Sequence, residues 1–281
     1  MSEAVDPALV AVRFLAYGLA MLAFGRAAFD LYAPSPQPGR AANVAAGAAL
    51  AFAAALYAVL LAREATGAGW PDAGAVVTIW SDTGFGRALA ATGLAALALA
   101  ALGVSGRPLR WPKLALAAIA LGALAFVGHG ADDSGLRGDV RLAVLAAHLM
   151  AVAAWLGALP SLWRAVGSER RPLRLLGRFG WVGSVSLALM LVTGAATLVF
   201  VALDARGGLG RAYIRTLAVK LAFVLGLLAL AAANRFRLTP LMARAPDRAR
   251  RLLRATIVAE QLLGLGALAS VALLGQLDPS M

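Results

Sequence analysis

Residues 141–163 read RLAVLAAHLMAVAAWLGALPSLW. Between Arg141 and Arg164 there is no Asp, Glu, Lys or Arg. A helix of that length, rising about 1.5 Å per residue, crosses a hydrocarbon core of about 30 Å. The run therefore reads as a membrane span. It also holds one of only two histidines in the chain, His148, where water has little access.

The same reading extends outward in both directions. Apolar runs at 9–29, 42–62, 84–104, 112–128, 179–202, 214–234 and 253–275 join the one at 141–163. The 281 residues are 61% hydrophobic and 14% charged, against about 25% charged in an ordinary soluble domain. Mean hydropathy is +0.80. Lipid cannot satisfy open backbone groups, so many such runs predict an all-α, polytopic transmembrane helix bundle of about eight spans. Its Ala, Gly and Leu richness suits close helix contact. Residues 1–281 read as one integral membrane domain, with Pro and Gly marking the joints PSPQPG (34–39), GAGWPDAG (67–74) and SGRP (105–108). The acidic start MSEAVDP lacks a basic signal-peptide region, so 9–29 reads as a retained first span.

Charge orients the bundle. Arginines crowd the loops after spans three, five and seven, while the loops after spans two and four carry Glu64, Asp72, Asp82, Asp132, Asp133 and Asp139. The loop after span six is mixed, with three arginines against Asp204. Excess Lys and Arg marks the cytoplasmic side, so both termini are expected outside. The net charge of +12 is then topological rather than a nucleic-acid signal. VVTIWSDTGFGRA (76–88) reads as an interfacial helix with Trp80 at the headgroups, or equally as a loop.

Several polar side chains interrupt this apolar plan. His129 ends span four beside Asp132 and Asp133, at the expected outer mouth. His148 lies roughly 10 Å below the outer hydrocarbon surface, by helix rise. An acidic mouth attracts a cation, and a neutral imidazole binds a transition metal. Met21, Met150 and Met190 offer thioethers, of which Met150 falls on nearly the opposite face from His148 and Met190 stands at a suitable depth. Packing explains a methionine equally simply. Trp155 lies two turns from His148 on the same face, as a cavity wall or as packing. Lys220, Asn234 and Glu260 are the remaining intramembrane polar residues considered. Lys220 and Glu260 differ by roughly 10 Å in depth, so Asn234 or an arginine is the nearer partner for Glu260, and Lys220 snorkels outward.

The chain has no cysteine, which excludes disulfides, thiolate metal sites and iron–sulfur clusters. It has no nucleophile motif, phosphate loop or zincin helix, so no enzyme is expected.

The order and spacing of these residues resemble the copper resistance protein D (CopD) family of bacterial inner-membrane proteins, most clearly over 125–279. The features are GHG around His129, HLMAVAAWLGAL from His148, TG at 193–194, Tyr213 with Lys220, NR at 234–235, Pro240, Glu260 ahead of LLG, and LLGQLDP at 273–279. TGFG at 83–86 is a weaker match, and Ala158 departs from a second glycine after Trp-Leu-Gly. The resemblance implies copper homeostasis: a multi-pass protein of the inner membrane moving copper from periplasm towards cytoplasm. Its expected partner is a separate periplasmic copper-binding protein of the C type. Metal would meet His129, His148, Asp132, Asp133 and Met190. Two other readings stand beside this one. One is a cytochrome-b-like carrier with haem between the two histidines, against which their depths argue. The other is a non-transporting dock for a periplasmic copper protein.

Overall fold

Hydrocarbon offers the backbone no hydrogen-bond partner, so each apolar run must satisfy its N–H and C=O groups internally. The computed structural model describes residues 5–33, 40–66, 73–105, 109–127, 135–168, 172–205 and 208–280, without the side chains of residues 75 and 172. Among these residues the regular elements are all helical. They are α1 (Pro7–Tyr32), α2 (Arg40–Thr66), α3 (Ala73–Asp82), α4 (Gly84–Ser105), α5 (Arg110–Ala123), α6 (Leu136–Leu156), α7 (Leu159–Ser168), α8 (Pro172–Asp204), α9 (Arg211–Ala233), α10 (Thr239–Arg244) and α11 (Pro246–Leu274). A 3-10 turn, Leu124–Phe126, extends α5, and a π-helical turn, Asn234–Leu238, joins α9 to α10. Local chemistry starts α1: Asp6 caps it by accepting from the Ala8 N–H at 2.8 Å, with proline in the first turn.

Contacts between helix ends give each leg its direction. Arg13, early in α1, donates to the carbonyls of Gly275, just past α11, and Val127, just past the 3-10 turn. Arg137 and Arg141, early in α6, hold Asp204 at the end of α8. The Gly210 N–H, just before α9, donates to the Pro279 carbonyl. These residues therefore share one end of the bundle, the near end, with both described termini. At the far end Arg178, early in α8, donates to the Tyr32 carbonyl that closes α1. There too Arg235, just past α9, donates to Gly180 on α8. Thr92 of α4 donates to the Ala120 carbonyl of α5, which sets those two helices antiparallel. The chain thus makes eight legs: α1, α2, α4, α5, α6 with α7, α8, α9 with α10, and α11.

Seven of those legs are long and apolar enough to cross a membrane. The other is α5, whose 14 residues span about 21 Å and whose 3-10 turn adds about 6 Å. It is nonetheless central, because Ala117, Ala120, Leu121 and Leu124 are fully buried.

Two boundaries differ from the apolar runs. The fifth run is not one helix: α6 stops at Leu156, a turn occupies Gly157 and Ala158, and α7 restarts at Leu159. The seventh run does not stop at 234 but continues through the π turn to Arg244. The stretch before α4 is the helix α3, and its Trp80 packs against the main core with Nε1 buried.

That core joins α1, α2, α4, α5 and α6. A second cluster at the far end joins the end of α1 to α7, α8, α10 and α11. A third joins α6, α8 and α9 through Ala151, Trp155, Met190 and Leu227. α8 packs chiefly on α6, and α9 chiefly on α11. Their outer flanks, with Trp181, Val192, Val199, Val219 and Leu225, are exposed apolar surface of the kind lipid covers.

Candidate functional site

His148 sits on the face of α6 that meets α8. Its Nδ1 lies 3.1 Å from the Met190 carbonyl oxygen and 3.0 Å from Thr193 Oγ1. A carbonyl can only accept, so Nδ1 carries the proton. Thr193 agrees with this assignment. Its hydroxyl donates to the Leu189 carbonyl at 2.6 Å, which leaves an oxygen lone pair for the imidazole N–H. The remaining nitrogen, Nε2, therefore presents a bare lone pair. This is the arrangement by which an anchored imidazole binds a metal. Gly194 eases the approach, since a Cβ there would stand a tight 3.2 Å from His148 Cε1.

The neighbours divide into packing and charge. Met190 meets His148 through its backbone carbonyl, while its side chain is buried in the third cluster with Trp155. Trp155 is buried two turns along α6, against the Gly183 position of α8. Met150 points the other way, towards Gly122 of α5, and Met21 is buried in the main core. Lys220 of α9 is the charged side chain whose field reaches His148. Among the described residues Lys220 makes no hydrogen bond or ion pair. Among them, too, no three His, Asp or Glu side chains gather as a metal-binding group. His129, Asp132 and Asp133 lie outside the described residues, and so does the two-histidine haem arrangement.

A second polar group lies nearer the far end. Glu260 of α11 is buried, at 3% exposure. Asn234 Nδ2 donates to its Oε1 at 3.0 Å, and Thr256 Oγ1 donates to Asn234 Oδ1 at 2.6 Å. Asn234 opens the π turn, where its carbonyl accepts from the Thr239 hydroxyl at 2.8 Å. Glu260 is thus joined to Asn234 and not to Lys220, as the depths along the helices indicate.

Four residues here had no structural role assigned from the sequence. Thr193 and Thr256 are hydroxyls inside apolar runs, a signal for interhelical hydrogen bonding that the TG motif carried without a role. Arg13 is a cation inside the first run, which by itself marks a residue with a specific partner. Arg235 bonds Ser184 Oγ at 2.6 Å as well as the Gly180 carbonyl, tying α9 to α8 at the far end.

Comparison with known proteins gives consistent matches. Residues 1–139 match the model of the copper resistance protein D-like N-terminal domain, and residues 173–274 match that of copper resistance protein D. A relative from Pseudomonas syringae pv. tomato, named copper resistance protein D, is 32% identical over 98% of each chain. No solved structure matches.

Proposed function

We infer the function from the premise that this chain belongs to the copper resistance protein D family of membrane proteins. The proposal is that it carries copper ions across a bacterial inner membrane. Its arginine-rich far end would face the cytoplasm, and its termini the periplasm. Copper would enter at the near end, and His129, Asp132 and Asp133, which lie outside the described residues, would be the first to meet it. A separate periplasmic copper-binding protein would deliver it. It would then meet His148 Nε2.

The observation that carries this reading is the pair of acceptors on His148 Nδ1, which leaves Nε2 as a metal-ready donor inside the membrane. Lys220 supports transit over storage, because its charge opposes a second cation held beside His148.

Copper uptake into proteoliposomes tests the proposal. His148→Ala should lower the initial rate at least tenfold while leaving the folded yield unchanged. A variant that transports like the wild type would remove His148 from the route. Wild-type liposomes that take up no copper would remove transport itself and leave docking of a periplasmic copper protein.

A further inference from the structure

We propose that Glu260, Asn234 and Thr256 form a proton-exchange site inside the membrane, in which the Asn234 amide turns over as Glu260 gains or loses its proton. The site is defined by its hydrogen-bond geometry and is independent of copper.

In the arrangement present, Glu260 Oε1 accepts from Asn234 Nδ2 and the amide oxygen accepts from Thr256, a pattern that suits the ionised carboxylate. Suppose Glu260 takes a proton. Its new O–H needs an acceptor, and a half-turn of the amide puts Oδ1 opposite it. The same half-turn points Nδ2 at Thr256 Oγ1, which must then accept. Thr256 can release its own proton elsewhere, because the carbonyls of Leu252 and Leu253 already lie 3.1 Å and 3.0 Å away. Every group keeps a partner in both states. This matters in a buried site, where an unpaired polar group is costly. The balance is simple: a hydronium or protonated buffer molecule on the aqueous side gives one proton to a carboxylate oxygen, and water or free buffer remains.

Among the described residues no cation pairs with Glu260, and Asn234 is its one hydrogen-bond partner. The elements packed against α11 direct their titratable groups elsewhere. On α1, Arg13 is bound to carbonyls, Tyr17 donates to Leu124, and Arg26 is influenced by Asp30 and by Arg164 of α7. Tyr32 closes α1 beside Phe29. On α6, Arg137 and Arg141 hold Asp204 at the near end, the end where Asp139 also stands, and His148 is bound to α8. On α9, Arg211, Tyr213, Arg215 and Lys220 belong to the near half, while Arg235 reaches α8. Arg237 and Arg244 follow in the π turn and α10. On α11 itself, Arg254 stacks on Trp163 at 3.9 Å, and Asp247, Arg248, Arg250 and Arg251 lie further towards the far end. Arg254 precedes Glu260 by about 9 Å of helix rise, which is a short path from far-end water.

The π turn is the second, independent observation. It begins at Asn234 itself, whose carbonyl accepts from both the N–H and the hydroxyl of Thr239, and such π segments concentrate at functional sites.

Infrared spectroscopy of the full-length protein in liposomes, titrated with pH, tests the site without copper. The expected result is a protonated-carboxyl C=O band that appears and disappears with pH, is absent in Glu260→Gln, and titrates at a displaced midpoint in Asn234→Leu. A band unchanged in Glu260→Gln, or an unchanged midpoint in Asn234→Leu, would overturn the proposal. Should Glu260→Gln fail to fold, Asn234→Leu and Thr256→Val keep the carboxyl and must both displace the midpoint. Copper uptake under an imposed pH gradient then separates this site from the copper route. Glu260→Gln should lose the response to the gradient and keep copper binding, whereas His148→Ala should lose copper binding and keep the infrared band.

Discussion

Gly25 of α1 and Gly157, at the end of α6, touch backbone to backbone. A Cβ on Gly157 would overlap the Met21 carbonyl oxygen and stand 2.9 Å from its carbon; one on Gly25 would overlap the Gly157 carbonyl carbon. Peptide groups in two packed helices cannot step aside as a side chain can. Gly157→Ala should therefore force α1 and α6 apart and cost about 1–3 kcal/mol or more. Gly93→Ala, with nothing within 4 Å, is the control and should be neutral or stabilising by up to about 1 kcal/mol. Thermal unfolding in detergent measures both. Equal midpoints for Gly157→Ala and wild type would contradict the close approach.

At Gly194 the neighbour is a ring rather than a backbone. A Cβ 3.2 Å from His148 Cε1 asks the imidazole to give by a few tenths of an ångström. Gly194→Ala should change stability little, by about 1 kcal/mol or less. It should weaken copper binding several-fold by disturbing the Nδ1 contacts that orient Nε2. Copper titration of the purified variant, with His148→Ala as baseline, reads the effect. Unaltered affinity would mean that the ring orientation does not matter.

What could be read from the sequence follows from which signals are one-dimensional. Apolar run length is such a signal, so the eight legs were visible, and loop charge marked alternate joints. Depth along a helix is another, and it placed Asn234 nearer than Lys220 to Glu260. The break at Gly157 and Ala158 was hidden because the run stays apolar through it, with Pro160 the nearest sign. The π turn was hidden because backbone register has no hydropathy. Thr193 lacked a role because choosing the helix that faces His148 requires the packing of α6 on α8. The core contact of Trp80 was hidden for the same reason: it depends on how α3 folds back on α4.

Lys220 supplies a prediction of opposite sign to the His148 substitution. Its ammonium acts on His148 and has no anionic partner among the described residues. Removing that charge should let a copper ion at Nε2 bind more tightly. Lys220→Met is expected to raise copper affinity on the order of tenfold, with slower release, and Lys220→Arg should leave affinity near wild type. Equilibrium competition with a copper chelator measures this. If Lys220→Met binds copper no better than wild type, the ammonium does not oppose the metal.

At the near end, Asp204 holds two arginines of α6, and exposure ranks the two pairs. Arg141 Nη1 meets Oδ2 and Arg137 Nη2 meets Oδ1, each at 2.5 Å, but the Arg141 side chain is 14% exposed and that of Arg137 is 51% exposed. Water and salt screen the exposed pair more strongly. The expected coupling energy with Asp204→Asn is about 1 kcal/mol for Arg141→Ala and a few tenths for Arg137→Ala. Arg141 has further contacts, so its single substitution overstates the pair, and a double-mutant cycle isolates it. Denaturant unfolding in mixed micelles at low and high salt supplies both cycles. High salt should erase the Arg137 coupling first, because the Arg137 side chain itself lies within reach of mobile ions. Equal couplings for the two arginines would show that burial does not grade this clasp between α6 and α8.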